Sequence, residues 1–140
     1  MSLVLDASLT LSWCFEDERT PAVDAALDKV AASGAVVPLL WRMEVANGLQ
    51  MAIRRKRIDR DFRDRAIQHL SLLPIVVDSE TDTYVWTVTL RLSDRFGLTV
   101  YDAAYLELAQ RRNLPLASID KALSAAGRRL GVPIFGPKKT

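Results

Sequence analysis

Five acids stand where this chain could do chemistry. Asp6 directly follows the apolar run Leu3-Val4-Leu5, Asp78 follows Ile75-Val76-Val77, and Asp120 follows Leu116-Ala117-Ser118-Ile119. Glu44 and Asp102 each lie in the first turn of a stretch of helical period. These stretches are Leu40-Trp41-Arg42-Met43-Glu44-Val45-Ala46-Asn47 and Thr99-Val100-Tyr101-Asp102-Ala103-Ala104-Tyr105-Leu106. A carboxylate among apolar neighbours costs free energy unless something positive compensates it. Brought together, Asp6, Glu44, Asp102 and Asp120 would repel and raise one another's pKa values. A hard divalent cation resolves that repulsion, since Mg²⁺ or Mn²⁺ takes oxygen ligands and keeps waters for a substrate phosphate. Asp78 is set aside, because it directly precedes the Ser79 cap and has no apolar setting.

Each acid also has an ordinary reading. Asp102 stands three residues after Thr99, the spacing of a capping box, and Asp120 is placed to cap a following helix. Asp6 could serve a strand-to-helix turn, and Glu44 could pair with Arg42. The metal reading therefore depends on whether the fold makes the four converge.

The elements that must position them alternate in kind. Leu3–Leu5, Ala35–Val37, Ile75–Val77, Leu116–Ser118 and Pro133–Phe135 are short runs apolar on both faces, as strands buried in a parallel sheet are. Between them the periodicity predicts helices from Pro21, capped by Thr20 and closed by Gly34, then over about 40–55 and 60–72. Further helices are predicted from a Ser79–Asp82 capping box to about Asp94, from Thr99 to about Asn113, and from Lys121 to Leu130 before Gly131. Strands alternating with helices predict an α/β fold, a three-layer α/β/α sandwich with a mostly parallel sheet of about five strands. The fourth or fifth strand is expected at an edge, since Pro133 has no N–H for a central ladder. In such a sheet ligands bind beyond the carboxyl ends of the strands, where Asp6 and Asp120 fall.

The 140 residues show no internal repeat and no separating linker, so one domain is expected over residues 1–136, with a loose tail at 137–140. Hydrophobic residues make up 49% and charged ones 26%, which excludes a disordered or fibrous chain. The net charge of +2 neither demands nor excludes a nucleic-acid partner. One cysteine, Cys14, permits no internal disulfide and no thiolate zinc cluster. Without a targeting signal or an apolar stretch of about 18 residues, the expectation is a cytoplasmic protein with no membrane association.

Val4-Leu5-Asp6-Ala7-Ser8, Glu44-Val45-Ala46-Asn47, Thr99 to Tyr105 and Ser118-Ile119-Asp120, in that order, resemble the PIN domain. Length and spacing resemble more narrowly the VapC toxins of bacterial toxin–antitoxin pairs, and the resemblance runs from Leu3 to about Phe135. It implies a Rossmann-like sandwich and a Mg²⁺- or Mn²⁺-dependent endoribonuclease that leaves 5′-phosphate and 3′-hydroxyl ends. Asp6, Glu44, Asp102 and Asp120 match the acidic quartet that holds the metal and the attacking water. Ser8 matches a small hydroxyl secondary to the site, and Asn47, one turn beyond Glu44, is a further secondary candidate. The implied partners are an RNA substrate, a VapB-like antitoxin and a second copy in a homodimer. Trp13, Trp41, Trp86 and Phe15 read as core or interface residues, and on the apolar first helix an exposed Trp13–Phe15 pair could bind a partner chain.

Seven basic residues crowd positions 54–65 against three acids, Asp59, Asp61 and Asp64. They read either as a solvated helix connection or as an RNA-contacting surface led by Arg54, Arg55 and Arg57. The one histidine, His69, lies within a helix and reads as a partly exposed helix residue, not a catalyst. Two other classes compete. A receiver-like signalling domain would want paired acids after the first strand, where Asp6 stands alone. A catalytically silent binding module would have no reason to keep clustered acids.

Overall fold

The computed structural model describes residues 2–136, and the tail expected to be loose at 137–140 lies outside them. Three strands are buried at every position: β1 (Leu3–Leu5), β2 (Ala35–Val37) and β4 (Leu116–Ala117). β3 (Ile75–Val77) and β5 (Ile134–Phe135) keep partial exposure, as edge strands do. The order is β3-β2-β1-β4-β5 with every neighbouring pair parallel. Of the two strands offered for an edge, β5 takes it and β4 is interior. Pro133 gives the sheet only its carbonyl, which accepts from Leu116 N–H at 2.9 Å.

This order places a topological switch point between β1 and β4. The chain steps outward from β1 through β2 to β3, then returns to lay β4 on the other side of β1. Crevices at such points, beyond the carboxyl ends of the strands, are where open α/β sheets bind ligands.

Among the described residues eight α-helices complete an α/β/α sandwich: α1 (Ala7–Cys14), α2 (Pro21–Ser33), α3 (Leu40–Arg54), α4 (Arg60–Ser71), α5 (Thr81–Tyr84), α6 (Leu90–Phe96), α7 (Val100–Arg112) and α8 (Lys121–Leu130). α1 packs on α2 and α3, while α7 packs on β1, β4, α6 and α8. Thr20 caps α2 by accepting from Val23 N–H at 3.2 Å. Gly34 ends that helix at φ +82°, with Pro74 O 3.0 Å from where a Cβ would sit, so both backbone and space call for glycine as the chain turns into β2.

The Ser79–Asp82 capping box does not form. Helix α5 begins at Thr81, whose hydroxyl donates to Asp78 at 2.7 Å, because Asp78 is drawn inward instead of left at the surface. Its carboxylate is buried and ion-paired to Arg111 at 2.7 Å, and Arg111 also binds buried Glu107 at 2.7 Å. That pairing fixes the end of β3 to α7. Burial pushes the Asp78 carboxyl upward, but the hydrogen bonds from Arg111 and Thr81 more than offset this and hold it below the usual range. A π-helical turn, Val85–Thr89, interrupts the single helix expected after Asp78.

Trp13 and Phe15 are not an exposed pair. Both are buried, Trp13 donating its indole N–H to Val23 O at 2.9 Å. The first helix therefore belongs to the core, because it lies between α2 and α3, and it offers no partner surface. Trp86 is the exposed tryptophan.

Candidate active site

Two of the acids enter the site as helix N-caps at the switch point. Asp6 ends β1 and accepts from Leu9 N–H at 2.9 Å, opening α1. Asp120 follows β4 and accepts from Leu123 N–H at 2.8 Å, opening α8. The ordinary reading of each is thus correct, yet it accounts for one oxygen only. Asp120 Oδ2 has no hydrogen-bond partner among the described residues.

The other two ride on helix N-termini. Asp102 sits in the first turn of α7, and its backbone N–H is capped by Thr99 Oγ1 at 3.1 Å. Glu44 sits in the second turn of α3. Its Oε1 accepts from the Tyr105 hydroxyl at 2.6 Å, whereas its expected partner Arg42 makes no ion pair with it.

The four acids feel one another. The charge of Asp120 pushes up the Asp6 and Asp102 carboxyls, and the charge of Asp102 pushes up Glu44. For all three the larger cause is burial, which disfavours the ionised form. Asp6 is raised to about 6 although Ser118, Leu9 and Ser8 all donate to it. Ser8 Oγ lies 2.9 Å from both of its oxygens. Asn47 is exposed one turn beyond Glu44 and makes no side-chain hydrogen bond among the described residues.

Among the described residues, no Lys or Arg pairs with Asp6, Glu44, Asp102 or Asp120. As they stand, no three His, Cys, Asp or Glu side chains there form a group that could hold a metal ion. The set still suits a hard divalent cation in kind. Every donor is a carboxylate oxygen, the uncompensated repulsion is what a cation relieves, and Glu44 Oε2 and Asp120 Oδ2 are free of protein partners.

Two residues of the quoted motifs take structural parts that reading their types alone did not assign. Ser118 is fully buried; its hydroxyl donates to Asp6 Oδ2 and accepts Asp120 N–H at 3.0 Å. Tyr105 is buried with its hydroxyl on Glu44. Burial, and then that carboxylate, push the phenol far above its usual range, so it remains a donor. Spacing was an available signal for Ser118, which stands two residues before Asp120, but not for the Tyr105–Glu44 bond, whose partners are 61 positions apart.

Met43 and Tyr101, next in sequence to Glu44 and Asp102, are exposed, as is Leu39 just before α3. The basic run lies elsewhere. Arg54, at the far end of α3, is about 15 Å along the axis from Glu44 at 1.5 Å per residue. Arg54 and Arg55 are exposed, while Arg57 is engaged by Asp17 and Glu18, both at 3.1 Å, and stacks on Phe15 at 4.3 Å. His69 is exposed in the last turn of α4.

Comparison with known proteins places this geometry. A family model described as PIN domain matches residues 3–129. The chain is 29% identical over 128 residues to Ribonuclease VapC9 of Mycobacterium tuberculosis, covering 90% of this chain and 91% of that one. Among solved structures it resembles PAE2754 from Pyrobaculum aerophilum, with a TM-score of 0.68 and 25% identity over 96% of this chain and 92% of that one. It also shares its fold with a toxin–antitoxin complex from Klebsiella pneumoniae, with a TM-score of 0.62 and 20% identity over 99% of each chain.

Proposed function

The chain belongs to the PIN domain family, and on that premise we propose that it is a metal-dependent endoribonuclease, the toxin of a VapBC-type toxin–antitoxin pair. One observation carries the reading. Carboxylates from separate elements near the switch point of a parallel sheet raise one another in pairs, Asp120 acting on Asp6 and Asp102 and Asp102 on Glu44, with no Lys or Arg paired to them among the described residues. The similarity to a ribonuclease over most of both chains supports it.

Asp6, Glu44, Asp102 and Asp120 would hold Mg²⁺ or Mn²⁺, which when bound supplies charge stabilisation at a phosphate oxygen and acidifies bound water. The chain's own work is positional. Ser8, Ser118 and the Leu9 N–H keep the Asp6 carboxylate oriented against its burial. The free oxygen of Asp120 is the place to hold a proton leaving the attacking water, and that of Glu44 is left to face the ion. The test is cleavage of RNA by purified protein with Mn²⁺ and with chelator. Metal-dependent cleavage lost in Asp6→Asn supports the reading, and no cleavage under any divalent ion favours a silent binding module instead.

The further reading is a cytoplasmic protein held in check by a VapB-like antitoxin that sets a basic side chain among the acids. No helix among the described residues is long and apolar enough to cross a membrane. A homodimer is also proposed. With α1 buried, its contact falls to exposed apolar residues such as Met43, Trp86 and Leu90. Sedimentation of the free chain reads the dimer, and growth arrest on expression without an antitoxin reads the toxin. RNA contact by the basic run rests on Arg54 and Arg55, with Arg57 largely taken up by its acids. A double Arg54→Glu, Arg55→Glu variant should then flatten the salt dependence of RNA binding.

A further inference from the structure

Glu44 has the weakest tie to the rest of the acidic set. Asp6 and Asp120 are joined through Ser118 at the ends of adjacent strands, and Asp102 rides on α7, which packs against both strands. Glu44 comes from α3, whose chain departs from β2 on the far side of β1. Among the described residues one side-chain hydrogen bond joins α3 to α7, and it is Tyr105 Oη–H to Glu44 Oε1. At 2.6 Å it has the length of a charge-assisted O–H···O⁻ bond.

The phenol is well built for this. Tyr105 is 1% exposed and its ring is fixed in the core, one helical turn below Asp102 on the same helix. A rigid donor on Oε1 sets the carboxylate plane and leaves Oε2 without a protein partner. We propose that Tyr105 is a positioning residue for Glu44, holding one carboxylate oxygen so that the other is presented to the divalent ion. The proposal rests on the reading of the four acids as a metal-dependent site. Tyr105 touches neither ion nor substrate in this role; it acts through Glu44, while the Ala7 N–H and the Asp6 carboxylate also lie near its hydroxyl.

Tyr105→Phe deletes the hydroxyl and keeps the ring, so the core packing should survive. The measurement is Mn²⁺ affinity by calorimetry, beside kcat and KM for RNA cleavage, in wild type, Tyr105→Phe, Glu44→Gln and the double variant. Loss of an outer hydrogen bond to a metal ligand weakens affinity or activity by about 10- to 100-fold. Tyr105→Phe should therefore bind Mn²⁺ about tenfold more weakly and lose kcat with KM unchanged. In the Glu44→Gln background the same change should do nothing further, because the group it acts through is gone. Wild-type Mn²⁺ affinity and kcat in Tyr105→Phe, or an equal further loss in the double variant, would overturn the proposal while leaving the metal site intact. A wild-type chain that binds no Mn²⁺ would overturn the metal-site reading and this proposal with it.

Discussion

The Ser118 hydroxyl donates to Asp6 Oδ2 while accepting the backbone N–H of Asp120, so one buried side chain links the acids that follow β1 and β4. Removing it leaves a buried carboxylate short of a donor, a loss worth about 1 to 3 kcal/mol. Ser118→Ala should destabilise the metal-free protein by that order in urea denaturation at pH 7. It should also lower Mn²⁺-dependent cleavage by about 10- to 100-fold, since Asp6 is then held less firmly. A variant as stable and as active as wild type would show that the link orients nothing.

Asp6 also sets a pH dependence whose sign is unusual for an acid. Its carboxyl is raised from 3.8 to about 6 in the folded chain, so the folded state holds the proton more tightly than the unfolded one. The contribution of Asp6 to metal-free stability should be fully present below pH 4, fall as pH rises to 6, and level off above, by on the order of 3 kcal/mol. Glu44 and Asp102 are raised too and extend the fall. Thermal melts in chelator across pH 4 to 7.5 should show the decline, and Asp6→Asn should flatten most of it. Metal binding requires the ionised form, so Mn²⁺ affinity should rise through the same window.

Arg111 offers a contrast, a basic group that buried acids cannot do without. Asp78 and Glu107 both have side chains 2% exposed and share its guanidinium. Arg111→Met would strand buried Glu107 and leave Asp78 with Arg112 at 3.5 Å and the Thr81 hydroxyl, and breaking a buried pair from one side costs about 3 to 5 kcal/mol. Chemical denaturation should show a loss of that size at pH 7. It should shrink as the pH falls towards 4, where the stranded acids take up protons. A loss below 1 kcal/mol would mean the stranded acids are readily resolvated.

These residues mark how far the sequence could be read. The strands were legible because runs such as Leu3–Leu5 and Ala35–Val37 are apolar on both faces, and the helices because caps such as Thr20 and Thr99 stand where they act. The convergence of Asp6 and Asp120 followed from their places after strands, once those strands proved adjacent. What stayed hidden depended on partners distant in the chain. Asp78 looked like a surface residue because Arg111, 33 positions on, is invisible to local pattern. Trp13 and Phe15 stayed open between core and interface because a short helix gives no sign of which neighbours will cover it. Tyr105 met Glu44 across 61 positions, and nothing in helical spacing announces such a bond.

The sharpest test of the site separates a metal ligand from a capping residue at one position. Asp102 lies in the first turn of α7, and its carboxyl is raised first by burial and then by the charge of Asp120. Asp102→Asn keeps the shape and the backbone bond to Thr99 while deleting one of the repelling charges. In chelator the variant should therefore melt at the wild-type temperature or above it. Mn²⁺ at a hundred times its dissociation constant should stabilise the wild type by about 2.7 kcal/mol, and the variant by much less. Cleavage should be lost in the variant. A purely structural acid predicts the reverse, a loss near the helix start of about 0.3 to 1 kcal/mol that is the same with and without metal. Melting curves of both proteins, each in chelator and in Mn²⁺, decide between them. Equal metal stabilisation of the two, with cleavage intact, would remove Asp102 from the metal site.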